Sequence, residues 1–205
     1  MSQRTERATE PAARPDLHVV ARPAIDIANA ERAAAALLRA LGLDLDDPDL
    51  QRTPSRMVHG LAELLTPREF TATTFPNDEG YDELVVARRI PFTSLCEHHI
   101  LPFSGVATVG YLPGARILGL SKLARVVELY ARRPQVQERM TMQIARWLDT
   151  HLHPKGVGVV LEAEHSCMTL RGAAAHDATT VTSALLGVLR NEDRSRHEFL
   201  ALTRC

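Results

Sequence analysis

The chain has 205 residues, of which 45% are hydrophobic and 24% charged, with a formal net charge of -1. That length suits one or two domains with a substantial core, and the near-neutral charge excludes the global positive field that gathers nucleic acid or an anionic membrane. No run approaches the roughly 18 apolar residues that span a bilayer, and the polar opening MSQRTERATEPAARPDLHVV has no signal-peptide core, so a cytoplasmic protein is expected. Three cysteines are too few for a disulfide framework and read as ligands, nucleophiles or small buried hydrophobes.

Residues 1–22 mix Arg, Glu, Pro, Ala and Thr without period and predict a disordered tail. A helical arm is expected over residues 23–75. Its first helix is marked by Ile25, Ile27, Ala28, Ala34, Leu37, Leu38 and Leu41 at helical spacing, with Gly42 as the stop. The second opens at Thr53-Pro54, a capping hydroxyl before a proline, and runs to about Leu65, ahead of Pro67. Residues 76–205 predict the catalytic domain: extended segments at 84–87, 90–94 and 105–111, a helix over 120–132, and a break at Arg133-Pro134. A second helix to about Leu152 comes next, on which Val136, Met140, Ile144, Trp147, Leu148 and His151 keep the helical period. Strands over 156–165 and 179–186 and a last helix over 193–202 complete an α+β fold, an antiparallel sheet with helices packed on one face.

Cys96-Glu97-His98-His99 is the first concentrated chemistry along the chain. Residues three apart in a tight turn aim at one point, so Cys96 and His99 can share one ion. A second group, His165-Ser166-Cys167, stands at a strand end, where the period of two points His165 and Cys167 to one face. Two thiolates and one imidazole make an open zinc set that keeps a fourth position for water, whose pKa zinc lowers towards about 7. A closed structural Cys2His2 site is the competing reading. His98 and His165 would flank the ion, and imidazole, with an unperturbed pKa near 6.5, suits proton transfer there. Cys205 reads as a loose terminal thiol.

The segments SLCEHHILPFSG from Ser94, GLSKLAR from Gly119, RRPQVQER from Arg132, EAEHSCMTLRG from Glu162 and RHEFL from Arg196 resemble, in order and spacing, the GTP cyclohydrolase I family. RTPSRM from Arg52 extends the likeness more weakly into the arm. The resemblance implies a tunnelling-fold subunit of a toroidal homodecamer whose active sites are shared between neighbours. It implies the reaction of GTP and water to 7,8-dihydroneopterin triphosphate and formate, the first step of folate and pterin biosynthesis. On these motifs Cys96, His99 and Cys167 would ligate Zn2+, and His98 and His165 would be the acid/base pair, with Ser121 also a candidate for proton transfer. Ser121, Lys122, Arg125 and Arg171 would hold the triphosphate, Gln137 and Glu138 would recognise guanine, and Glu97 and Arg56 would complete the substrate-binding set.

Residue chemistry agrees with these implications. A carboxylate such as Glu138 accepts from the N1–H and amine of guanine, donors that adenine lacks. Ser121 and Lys122 lie at a predicted helix start, where free N–H groups favour phosphate, and arginine adds forked hydrogen bonds. Either flanking histidine could protonate N7 of the base while hydroxide attacks C8. One position departs from the family pattern: His59 stands where a lysine is expected, giving up a fixed positive charge and leaving room for a specialised paralogue. The alternative from another class is a non-catalytic GTP- or pterin-binding paralogue with a structural metal, which would need neither His98 nor His165.

Overall fold

The computed structural model describes residues 24–204; the predicted tail over 1–22 and Cys205 lie outside them. Two helices come first, α1 (Ile27–Ala40) and α2 (Thr53–Leu65), and they pack against each other. The Asp26 carboxylate starts α1 by accepting the Asn29 N–H at 2.9 Å, and Gly42, at φ 88°, ends it. The start of α2 differs from expectation. Its cap position is Arg52, so Thr53 and Pro54 are already helical and no side-chain oxygen caps the helix. Proline still fits, because an N–H there would have no helical partner.

The strands are β1 (Thr74–Pro76), β2 (Val85–Cys96), β3 (Pro102–Leu112), β4 (Arg116–Leu118), β5 (Pro134–Gln135), β6 (Gly156–His165) and β7 (Thr179–Gly187). Between and after them run α3 (Leu120–Ala131), α4 (Gln137–Leu152), α5 (Ser166–Thr169), α6 (Val188–Asn191) and α7 (Asp193–Arg204). β1 and β4 form a separate antiparallel ribbon, and the main sheet has the order β5-β2-β3-β6-β7. That sheet is antiparallel except for β5, which runs parallel to β2 through Leu95↔Pro134 and Cys96↔Gln135. The two extended segments predicted at 84–87 and 90–94 are one strand, β2, interrupted by a register shift between Ala87 and Ile90 with Arg89 at φ 54°. An inserted residue of this kind bends the strand and re-aims the side chains beyond it.

The core lies on one face of the sheet. Val157, Val159, Leu161 and Ala163 of β6 point there by strand alternation, as do Ala107, Val109 and Tyr111 of β3. Leu123, Val126 and Val127 of α3 and Met140, Ile144 and Leu148 of α4 meet them along helical stripes. This is the α+β arrangement the sequence predicts. The other face carries exposed Glu162 and Glu164, and at one end α7 lays buried Phe199 over Gly110 and Gly158. A Cβ on Gly158 would stand 2.5 Å from that ring, so the glycine makes the close approach possible. Tyr111 Oη accepts the Leu118 N–H at 2.9 Å and ties the ribbon to the sheet. Among the described residues no helix is long and apolar enough to cross a membrane.

The topology brings four chain positions to one end of the sheet. Cys96 closes β2, Gln135 in β5 lies beside it, Phe103 near the start of β3 is in register with His165, and His165 closes β6.

Candidate metal centre and active site

After Cys96 the chain reverses at once. The N–H groups of His99 and Ile100 both donate to the Cys96 carbonyl, at 3.2 and 2.8 Å, and Cys96 N–H donates to the Leu101 carbonyl at 2.8 Å. This turn brings His99 Nδ1 to 3.6 Å from Cys96 Sγ. Cys167 arrives differently from expectation. Strand alternation stops at His165, Ser166 begins the single helical turn α5, and Cys167 belongs to that turn, not to an extended chain. The donor atoms of Cys96, His99 and Cys167 all lie within 4.8 Å of one another.

The spacing and chemistry of this group fit zinc. A sulfur at about 2.3 Å and an imidazole nitrogen at about 2.05 Å from one tetrahedral ion stand roughly 3.6 Å apart, the separation found for Cys96 and His99. Burial, and then the neighbouring Cys96 sulfur, push the Cys167 thiol above its ordinary pKa, while Arg171 pulls the other way. Two sulfurs that oppose each other's ionisation are relieved by a dication between them.

Two histidines flank the group. His98 is two-thirds exposed, with a side-chain accessibility of 66%, and its Nδ1 lies 4.0 Å from Cys96 Sγ. His165 is held far more firmly. Its ring stacks on Phe103 with centroids 4.5 Å apart and planes 4° from parallel, and its Nε2 is 2.7 Å from Gln137 Oε1. Gln137 is buried at 2% exposure, and its Nε2 faces the carbonyls of Leu161 at 3.2 Å and Thr180 at 2.9 Å, and the Thr182 hydroxyl at 3.1 Å. Carbonyl oxygens only accept, so the amide nitrogen must occupy that side and the amide oxygen must face His165. His165 Nε2 therefore donates, which in the neutral ring leaves the lone pair on Nδ1. Burial pushes the His165 pKa below its ordinary value, and nearby Glu138 opposes that.

The remaining predicted residues fall into two groups. Glu138, exposed on the first turn of α4, acts on His165, and Arg171, just after α5, acts on Cys167. Glu97 lies within the ligand turn, but its Oε2 is taken by Arg139, which holds the carboxyl below the usual carboxylate range. Its other oxygen lies 3.9 Å from His98 Nε2. Ser121 and Lys122 occupy the first turn of α3, as expected. Arg125, one turn on, pairs with Glu128 Oε2 at 3.0 Å, and Glu128 Oε1 takes Arg68 at 2.7 Å. Ser121, Arg125, Glu128 and Arg68 line a cavity of about 710 Å³ walled by Ile90, Phe92 and Gly105. Arg56 is exposed on α2, where His59 reaches Glu31 of α1 at 3.6 Å. Among the described residues no hydrogen bond or ion pair joins Ser121, Lys122, Arg125 or Arg56 to the cysteine–histidine group. Sequence reasoning missed the Phe103 stack, the Arg139–Glu97 pair and the Glu128 bridge. Only the last had a readable signal, its spacing three residues from Arg125 on a helix.

Comparison with known proteins agrees with this geometry. The family model described as GTP cyclohydrolase I matches residues 30–204. A GTP cyclohydrolase 1 of Aquifex aeolicus is 46% identical over 181 residues, covering 88% of this chain and 98% of its own. One from Mycobacteroides abscessus is 50% identical over 184 residues, covering 86% of this chain and 89% of its own. The rat protein of the same name is 44% identical over 184 residues, covering 88% and 76%. A match of this extent, over a chain that brings two cysteines and a histidine to one point, makes this protein a member of the GTP cyclohydrolase I family.

Proposed function

We propose that the protein converts GTP and water to 7,8-dihydroneopterin triphosphate and formate, opening folate and pterin biosynthesis in the cytoplasm. The observation that carries the reading is the meeting of Cys96, His99 and Cys167 beside a histidine whose free nitrogen is fixed by its neighbours. Relatives named GTP cyclohydrolase 1 support the choice of substrate. Cys96, His99 and Cys167 would hold zinc, which when bound supplies a Lewis acid and lowers the pKa of a water molecule towards neutrality.

The chain's own residues do the rest. His165 presents Nδ1 as the base in its neutral form and as the acid once protonated, because Gln137 occupies Nε2. In this reading Gln137 acts on the reaction through His165, and Glu138, exposed on the next position, accepts from the N1–H and amine of guanine. His98, within the ligand turn and open to solvent, exchanges protons with water. Ser121, Lys122, Arg125 and Arg171 bind the triphosphate, with Arg56 contributing charge from the arm formed by residues 23–75. The catalytic domain is residues 76–205.

We also propose that the active protein is a homodecamer with shared sites. Among the described residues the α3 cavity shares no lining residue with the metal group, which fits a site completed by a neighbour. The sheet, moreover, has open edges. Among the described residues β7 pairs with β6 alone, and β5 covers only Leu95 and Cys96 of β2. Open edges offer backbone groups that a second copy can pair. Incubating zinc-loaded protein with GTP, oxidising the product and measuring pterin fluorescence together with formate tests the activity. Intact zinc with neither product would defeat it.

A further inference from the structure

The first turn of α4 touches both chain segments that deliver the cysteine–histidine group. Gln137 holds His165, two residues before Cys167. Two positions further on, Arg139 reaches the other segment. Its guanidinium donates to Glu97 Oε2 through Nη2 and to Gln135 Oε1 through Nε at 3.1 Å. Gln135 is itself buried and fixed, with Nε2 donating to the Tyr130 carbonyl at 2.8 Å and to Gln143 Oε1 at 2.9 Å. The Glu97 N–H donates to the Gln135 carbonyl at 3.0 Å. The turn between Cys96 and His99 is thus anchored at Glu97 twice, by its backbone to β5 and by its carboxylate to Arg139.

We infer that Arg139 is a positioning residue for the metal centre, acting through Glu97 to hold the Cys96–His99 turn at the place where Cys167 meets it. The inference rests on the proposed metal reading. Three points of physics favour it over a surface ion pair of no consequence. A planar guanidinium satisfies Glu97 and Gln135 together, a fork that lysine cannot reproduce. Glu97 follows Cys96 directly in the ligand turn, and its second oxygen lies 3.9 Å from His98 Nε2, so a shift of Glu97 is passed along the turn to Cys96 on one side and His98 and His99 on the other. Groups that orient ligands from behind are worth about 10–100-fold in metal affinity.

The test measures zinc affinity by competition with a chromophoric chelator, in the full-length chain and without GTP. Arg139→Gln should weaken zinc about 10–100-fold, and Arg139→Lys should weaken it less. Glu97→Gln/Arg139→Gln should be no weaker than the worse single variant, because both changes break one link. Steady-state kinetics should show kcat falling with KM for GTP little changed. Should Arg139→Gln fail to fold, judged by circular dichroism, Arg139→Lys carries the same comparison with Glu97→Gln. Wild-type zinc affinity in the arginine variants, or effects of the two sites that simply add, would overturn the inference, as would a rise in KM alone, which would make Arg139 a substrate contact. Zinc affinity is read without substrate, so a chain that binds zinc as described yet leaves GTP intact would defeat the proposed reaction and leave this inference standing.

Discussion

Replacing Gln137 by methionine separates two roles that the motif alone cannot. The substitution keeps the side chain's length and volume, so little cavity cost arises, but it removes four hydrogen bonds. Thr182 Oγ1 keeps the Thr141 hydroxyl as a partner at 2.7 Å, which leaves the Leu161 and Thr180 carbonyls and the His165 Nε2–H as the groups that lose most. At about 0.5–1.5 kcal/mol for each of three bonds, the fold should lose about 1.5–4.5 kcal/mol, measurable by urea denaturation of the zinc-loaded protein. His165 should lose its fixed tautomer, and kcat should fall about 10–100-fold, short of the roughly 100–10,000-fold that general acid–base catalysis contributes in full, because the imidazole itself remains. KM for GTP and the preference for GTP over inosine triphosphate, which lacks the exocyclic amine, should stay near wild type. If instead KM rises tenfold or more while kcat holds, and inosine triphosphate becomes as good a substrate as GTP, Gln137 reads the base and the positioning argument is wrong.

Removing the metal with a chelator should abolish turnover and expose Cys96 and Cys167 to a thiol reagent, and zinc should reverse both effects; thiols as reactive before chelation as after would count against ligation. Glu128→Gln should loosen the link between Arg68 and Arg125. Burial pushes the Glu128 carboxyl up, but Arg68 and Arg125 outweigh it and hold the group below its ordinary value. The stabilisation is therefore complete above the ordinary carboxylate pKa of about 4.3 and disappears as pH falls through the lower folded value. With Arg68 largely exposed, wild type should exceed the variant by only about 1 kcal/mol or less at pH 7, and the difference should vanish in acid denaturation titrations; a gap that widens below pH 4 would contradict the sign. Gly105→Ala should cost at least about 3 kcal/mol or prevent folding, because its Cβ would stand 1.9 Å from the Glu162 carbonyl oxygen, a backbone atom that cannot rotate away. Gly60→Ala, in a helix with nothing within 4 Å of the new Cβ, should stabilise by about 0.5–1 kcal/mol, so equal effects at the two sites would refute the packing argument.

Legibility in the sequence depends on the range over which each signal acts. The bounds expected for β6 match those observed and those for α2 miss by one residue at the start, because ten or more residues of regular structure leave a legible apolar pattern. Cys96 and His99 were legible for the same local reason, since a turn closing on the Cys96 carbonyl brings residues three apart together. β5, α5 and the β1–β4 ribbon, of two to four residues per element, are too short to show any period, and with α5 went the route by which Cys167 reaches its partners. The register shift in β2 was hidden too, its two arginines reading as a gap between strands.

Gln137 and Glu138 carry a further signal in the helical phase of α4. Its buried positions Gln137, Thr141, Ile144 and Leu148 recur at the helical period, so Gln137 falls on the stripe that faces the sheet. Glu138 is turned about 100° away and is exposed. The Gln137 side chain is held in the core by its hydrogen bonds to Leu161, Thr180, Thr182 and His165, whereas the Glu138 carboxylate points outward. In the function proposed above, the phase of α4 divides their work: the inward amide would set the direction of the His165 lone pair, and the outward carboxylate would remain available to a bound base.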